Sequence, residues 1–278
     1  MAEQSTERAG VSWPERTWLR RLPFRLGTTS FMVPAGYVEN VQLVAPYVED
    51  VELLFFESHD QGPLPSPAEM DQLRRVARDQ EISYTVHLPL DIALGAADQL
   101  LRRRSVQRCL RVMELTAPLS PHSYVVHFCP TPDPAELAAW QAGLHRSVQE
   151  LLSTGIESRR LCVETLDYPA AWFEEVVACH SLSLCLDVGH LFLARPGHPL
   201  PSETDGAPWR VIHVHGVRGD RDHRSLAEAD PVQRAALAPV FRRLLEVPRE
   251  AVVTVEVFAL AALQESVPVL ETIVPCRT

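Results

Sequence analysis

The sequence predicts a single (β/α)8 barrel over residues 23–278, preceded by a flexible tail at 1–22. Three observations predict it. The chain has 278 residues, and one α/β barrel commonly takes about 250. Short runs rich in Val, Ile, Leu and aromatics alternate with longer amphipathic stretches, which is the order of strand and helix in such a barrel. Several of these runs are apolar throughout, as strands of a parallel sheet covered on both faces must be. A doubly wound open sheet is the alternative. No composition break or long linker divides the chain.

In order, the polar and charged first 20 residues read as a loose tail, and the fold begins near Phe24. The expected strands are Phe24–Thr29, Val51–Phe56, Ile82–Val86, Tyr124–His127, Leu161–Glu164, Leu182–Asp187, Val211–His215 and Val252–Val257. After the second, Ser66-Pro67-Ala68-Glu69 reads as an N-cap, a proline at the first helical position and a capping acid. Met70, Leu73, Val76 and Ala77 follow at helical spacing. Further helices are expected near 134–153, around Leu237–Leu245 and over Ala261–Ile273. Two Pro/Gly-rich connections, Ser58–Pro65 and Ala194–Pro208, are expected to overhang one face of the barrel.

Composition excludes some classes. The net charge is −10, and all 26 basic residues are arginine. Proteins that grip duplex nucleic acid neutralise phosphates with basic side chains. Here the one basic run is Arg102-Arg103-Arg104, inside an expected helix, so nucleic acid is not the expected partner. No apolar run approaches the roughly 20 residues that span a bilayer, and no signal peptide opens the chain. A cytoplasmic protein without membrane contact is expected. The six cysteines include no CxxC pair and read as small buried hydrophobes.

The ends of the strands carry the chemistry. The run SLCLDVGHLF stops at Asp187, with His190 three residues on. The third run ends at His87, the fourth at His127 and the fifth at Glu164. The seventh carries His213 and His215, and the eighth carries Glu256. In a barrel these C-terminal ends converge on one face, where active sites are built. Burying so many ionisable groups together costs several kcal/mol apiece without compensation. Metal ions compensate directly. Nitrogen and oxygen donors without thiolate suit zinc, manganese or iron. With His223 and an aspartate at 220 or 222, the candidates outnumber the ligands of one ion, so two or three divalent metals are expected.

This series resembles the xylose-isomerase-like TIM barrels, which include endonuclease IV and many sugar isomerases and epimerases. The resemblance implies that Glu164, Asp187, His213 and Glu256 hold one metal. It implies that His87 and His127 hold a second, with Glu164 bridging, and that His190, His223 and Asp222 or Asp220 hold a third. The chain departs from the endonuclease pattern after the seventh strand, where His213-Val214-His215-Gly216-Val217 stands. Over nearly the whole chain from Arg25, the stretches LGTTSF, VELLFFES, LPSPAEMDQL, SYTVHLPLDIALG and SVQRCLRVMEL also resemble the cobamide-remodelling phosphodiesterases of bacteria. That implies hydrolysis of the nucleotide-loop phosphodiester of adenosylated cobamides, giving adenosylcobinamide phosphate and the base riboside.

The remaining expectations concern side roles. Glu256 or Glu57 orients the attacking water. His215, Arg218 and Arg221 contact substrate; Arg224 and Thr28, Thr29 and Ser30 are further candidates. His122, His145 and His180 are structural, and His59 and His198 lie on loops. Two other readings stand beside the phosphodiesterase. One is a single-metal sugar isomerase or epimerase with Glu164 and Glu256 as bases. The other is a non-catalytic barrel that carries a corrinoid or a metal.

Overall fold

The expected apolar runs are strands, and they close on one another. In the computed structural model, which describes residues 16–55, 64–129, 132–194 and 208–275, the barrel strands in chain order are β1 (Arg25–Thr29), β2 (Asp50–Leu54), β3 (Ser83–His87), β4 (Ser123–Val126), β5 (Leu161–Glu164), β6 (Ser183–Asp187), β7 (Trp209–Val214) and β10 (Val252–Val255). Successive strands pair in parallel, and β1 against β10 completes the ring. The ring excludes the open doubly wound sheet. Strand bounds lie within about two residues of expectation, the usual uncertainty at an element's end. The ladder stops at Val126 and Val255, so His127 and Glu256 stand just beyond it.

Helices α1 (Arg16–Leu19), α2 (Tyr37–Val44), α3 (Pro67–Gln80), α4 (Gln99–Thr116), α5 (Leu137–Leu152), α6 (Glu174–His180), α7 (Val188–Ala194), α8 (Pro231–Leu245) and α9 (Leu260–Ile273) complete the fold. The start of α3 follows from its sequence. Ser66 accepts from the Glu69 N–H, and the Glu69 carboxylate accepts from the Ser66 N–H at 2.8 Å. One element was not expected. Strands β8 (Gly216–Arg218) and β9 (Arg221–Arg224) form an antiparallel hairpin directly after β7. Gly219 turns it with φ +66°, a conformation that favours glycine. Among the described residues, no helix is long and apolar enough to cross a membrane.

The loose tail ends earlier than the sequence suggested. Leu19 and Leu22 are buried at the N-terminal end of the barrel. Arg249, just ahead of β10, donates to the Leu22 carbonyl at 2.9 Å and the Leu19 carbonyl at 3.0 Å. Burial of two leucines and two charge-assisted bonds hold the segment from residue 16 onward.

Side chains alternate along each strand, so every second residue points into the barrel. The outward set joins the helices in one large apolar core. The inward set is different. Val125, Cys162, Cys185 and Val211 form a separate small cluster inside the ring. At the N-terminal end, Arg25 donates to Ser83 at 2.8 Å, and Ser83 bonds Asp50 at 2.5 Å. Burial raises the Asp50 carboxyl to about 6, against the pull of Ser83 and Arg25. The same alternation delivers His87, Glu164, Asp187 and His213 to the opposite end. The hydroxyls of Thr28, Thr29 and Ser30 are engaged within the sheet. They bond the Val255 carbonyl, the Val257 carbonyl and the Leu54 N–H, stitching β1 to its neighbours.

Candidate metal centre

Glu164, at the end of β5, is 1% exposed and lies at the middle of the site. Its Oε2 is 3.0 Å from His127 Nε2 and 3.2 Å from His87 Nε2, and its Oε1 is 3.4 Å from His190 Nδ1. His213 Nδ1 stands 3.7 Å from Glu164, 3.8 Å from Asp187 and 3.1 Å from Glu256. Donor atoms of Glu164, Asp187, His213 and Glu256 all fall within 4.8 Å of one another, as do those of His87, His127 and Glu164. Two groups of potential ligands therefore meet at the Glu164 carboxylate.

Hydrogen bonding alone does not account for this cluster. His127 Nε2, Asp187 Oδ2, His190 Nδ1, His213 Nδ1 and Glu256 Oε2 are buried and have no hydrogen-bond partner. Atoms bound to a metal at 2.0–2.2 Å stand about 3.0–3.4 Å apart, the edge of a tetrahedron or octahedron. The closest contacts here have that separation. The tautomer of His87 points the same way. Its Nδ1 meets the Leu88 carbonyl at 2.9 Å, and a carbonyl only accepts, so Nδ1 carries the proton. Nε2 is then the nitrogen turned toward Glu164, 3.2 Å away, and the one that could hold a cation in place of a proton. The residues present fit divalent metal ions with nitrogen and oxygen ligands.

Without such ions, imidazoles and carboxylates neutralise one another. Burial alone would raise the Glu164 and Glu256 carboxyls. The imidazoles of His127 and His213 overcome it for Glu164, and those of His213 and His223 for Glu256, so both acids sit well below the usual range. Burial opposes charge on His190 and His223, yet Asp187 and Glu164 push His190 up to about 10, and Glu256 and Asp222 push His223 up to about 9.

Glu52 went unnoticed in the sequence. It points inward from β2, fully buried, with Oε2 2.9 Å from His213 Nε2. The two atoms are close, yet neither has a hydrogen-bond partner. A carboxylate behind a ligating imidazole fixes which nitrogen faces the metal. The available signal was a lone acid inside the apolar run VELLFF. Glu52→Gln is expected to weaken metal affinity about 10- to 100-fold, the usual cost of losing such a partner. Metal content after dialysis at graded chelator concentration measures it, and wild-type retention refutes the role.

The DVGH segment has a structural reason. Asp187 ends β6, and its Oδ1 accepts the His190 N–H at 2.7 Å, starting α7 in the next residue. That turn aims the His190 ring back at Asp187 and Glu164. Gly189 leaves room for His215: a Cβ there would meet the ring at 2.0 Å. The ring cannot swing away easily. It stacks on His223 at 4.4 Å between centroids, and its Nδ1 accepts the His223 N–H at 3.0 Å. Gly189→Ala is expected to cost about 1–3 kcal/mol through overpacking. Thermal or denaturant unfolding reads this out, and an unchanged midpoint would show that His215 is not pinned.

His215 itself does not take the expected substrate-facing place. Two residues after His213, it shares that residue's inward face and is 2% exposed, beneath His190. The His223 N–H bond puts its ring proton on Nε2, which lies 3.4 Å from Asp187 Oδ1. That proton lies on the side of Asp187, without a hydrogen bond to it. His190 and His223 come within 5.7 Å of one another, measured between ring centroids. Of the two aspartates, Asp222 joins them: it is 3.0 Å from His223 and 3.9 Å from His190, whereas Asp220 is exposed at the hairpin tip. His223 holds φ +50°, a strained conformation for a non-glycine residue, with its backbone tied to His215.

Arg218 and Arg221 face each other across the hairpin and are exposed. Arg218 turns to Glu228 at 3.8 Å and stands outside the cluster, because a nearby carboxylate on the surface draws it. Arg224 pairs with Glu228 as well. Glu57, His59 and His198 lie outside the described residues.

The family model of the xylose isomerase-like TIM barrel matches residues 48–273. The chain belongs to that family. Among solved structures, this barrel resembles a D-tagatose 3-epimerase-like protein with a TM-score of 0.73 and 17% identity, over 90% of this chain and 97% of that one. Endonuclease IV from Thermus thermophilus gives a TM-score of 0.67 and 19% identity, over 89% and 99% of the two chains. The TTHB071 protein from the same organism, soaked with zinc chloride, gives 0.65 and 20%, over 91% and 98%. At these identities the likeness concerns the fold. A search of curated protein sequences finds no significant match. Of these three structures, one is of an epimerase-like protein and one is of an endonuclease.

Proposed function

We propose that this barrel is a metal-dependent phosphodiesterase, and that its substrate is an adenosylated cobamide cleaved at the nucleotide-loop phosphodiester. One observation carries the reaction class: His87 and His127 form a second ligand set on Glu164, beside the set of Glu164, Asp187, His213 and Glu256. An enzyme that moves a proton on a sugar needs only the four-residue set. Two cations a few Å apart suit a phosphoryl group, whose attacking and leaving oxygens both carry charge. The cobamide rests on the sequence resemblance, and the acidic, lysine-free composition agrees with a small metabolite rather than a polyanion.

Bound divalent ions would supply water acidic enough to ionise near neutrality and would offset charge on the phosphoryl oxygens. The protein residues do the remainder. Glu164 holds the two sets together. Glu52 stands against the ring of His213, and Asp187 holds the His190 backbone N–H. Glu256, buried with an unpartnered Oε2, would hold a proton of the attacking water. Asp222, His190 and His223 would hold a third ion. The cation is zinc or manganese by donor type, and the place of action is the cytoplasm.

The test is mass spectrometry of adenosylcobalamin incubated with zinc- or manganese-loaded protein. Adenosylcobinamide phosphate and the riboside are the expected products, and Glu164→Gln is expected to block them. Unchanged cobalamin with active hydrolysis of another phosphodiester would remove the cobamide alone. The second reading, sugar epimerisation, is favoured by the placement of Glu164 and Glu256 in one ligand set. Exchange of solvent deuterium into a keto sugar, without phosphodiester cleavage, would select it.

A further inference from the structure

His145 and His180 were expected to be structural, and Cys179 to be a small buried hydrophobe. The structure shows a different arrangement. Cys179 is exposed, while Cys109, Cys162 and Cys185 are buried. His145 lies on α5, and Cys179 and His180 are the last two residues of α6. His145 Nδ1 is 3.0 Å from His180 Nε2, with the rings tilted by 51° and their centroids 5.1 Å apart. One donor atom from each of the three residues falls within 4.8 Å of the other two.

An imidazole–imidazole hydrogen bond accounts for the nitrogens but not for the sulfur beside them. Free cysteine is among the most buried residue types, because its thiol packs as a small hydrophobe. An exposed thiol converging with two imidazoles, one of them from a neighbouring helix, calls for another explanation. Nitrogens at 2.0–2.1 Å from a tetrahedral zinc stand about 3.3 Å apart, and a sulfur at 2.3 Å stands slightly farther from each. The two nitrogens need move only a few tenths of an ångström to reach that spacing.

We propose that His145, Cys179 and His180 form a separate metal site on the outer helical layer, taking one borderline-soft divalent ion such as zinc. Two nitrogens and one sulfur fill three tetrahedral positions, and water takes the fourth. On binding, Cys179 gives its proton to the solvent and its sulfur lone pair to the ion, so one proton is released per ion from the thiol. The donor set differs from the barrel's nitrogen and oxygen set, so the surface site discriminates against manganese and magnesium more strongly. Its place in the fold gives it a consequence. Helices α5 and α6 lead into β5 and β6, which end in Glu164 and Asp187. An ion across α5 and α6 braces the two strands that carry these acids. The proposal stands independently of the phosphodiesterase reading.

The experiment is a cobalt(II) titration of the full-length, metal-stripped protein with a phosphine reductant in place of thiols. The expected result is a near-ultraviolet thiolate-to-cobalt absorption that saturates with one equivalent of the bound cobalt. Cys179→Ser abolishes the band and lowers the cobalt bound at saturation by one per chain. His145→Ala weakens the band at equal cobalt. Cys185→Ser, which removes the thiol beside Glu164 and His213, leaves it. Cys179 is exposed, so its serine variant keeps the fold, and circular dichroism checks this. Absence of a thiolate band in the wild type overturns the proposal, as does a band that survives Cys179→Ser.

Discussion

Glu164→Gln is expected to abolish turnover while leaving the barrel folded. The neutral amide keeps the shape of the side chain but removes the charge that faces His87, His127 and His190 together. Loss of one preorganised electrostatic contact commonly costs about 10²–10³ in rate. Here one atom change reaches both ligand sets, so the loss is expected to exceed about 10³-fold. Metal analysis of the purified variant should show less than the wild-type stoichiometry. Far-ultraviolet circular dichroism should be unchanged, since the residue sits at a strand end and not in the apolar core. A variant with full activity and full metal content would sink the shared-carboxylate centre.

His87→Ala separates the two reaction classes. His87 belongs to the set with His127 and Glu164 and not to the set of Glu164, Asp187, His213 and Glu256. Phosphodiester hydrolysis is expected to fall by about 10²-fold or more, because one metal position loses a ligand. An isomerase that uses only the four-residue set would keep most of its rate. The informative measurement pairs steady-state hydrolysis with bound metal per chain. A drop in both supports the two-set centre. Little change in hydrolysis, with one ion lost, would assign the chemistry to the four-residue set.

Much of the fold follows from local patterning. Strands covered on both faces need apolar side chains throughout, and this makes them visible as runs such as LSLCLD. The site was legible for the same reason. An ionisable residue that terminates an apolar run stands out, and the barrel places every such residue at one end. His87, His127, Glu164, Asp187, His213 and Glu256 were all readable on this rule, and they do converge.

What remained hidden depends on contacts across the barrel. Glu52 sits inside a strand, where the sequence shows only an acid among leucines and valines. Its partner, His213, lies 161 positions away in the chain and meets it only because the ring closes. His215 could be assigned only once Gly189 had made space beside it, and Asp222 only once the hairpin turn at Gly219 had sent Asp220 outward. Arg218 found a carboxylate on its own surface instead of the site. Sequence by itself determined the strands and the donor atoms at their ends, because hydrophobic periodicity and residue chemistry are local properties. Tertiary structure decided which donors stand close together, which imidazole nitrogen faces them and which groups stand behind, because those depend on distances of a few Å between residues far apart in the chain.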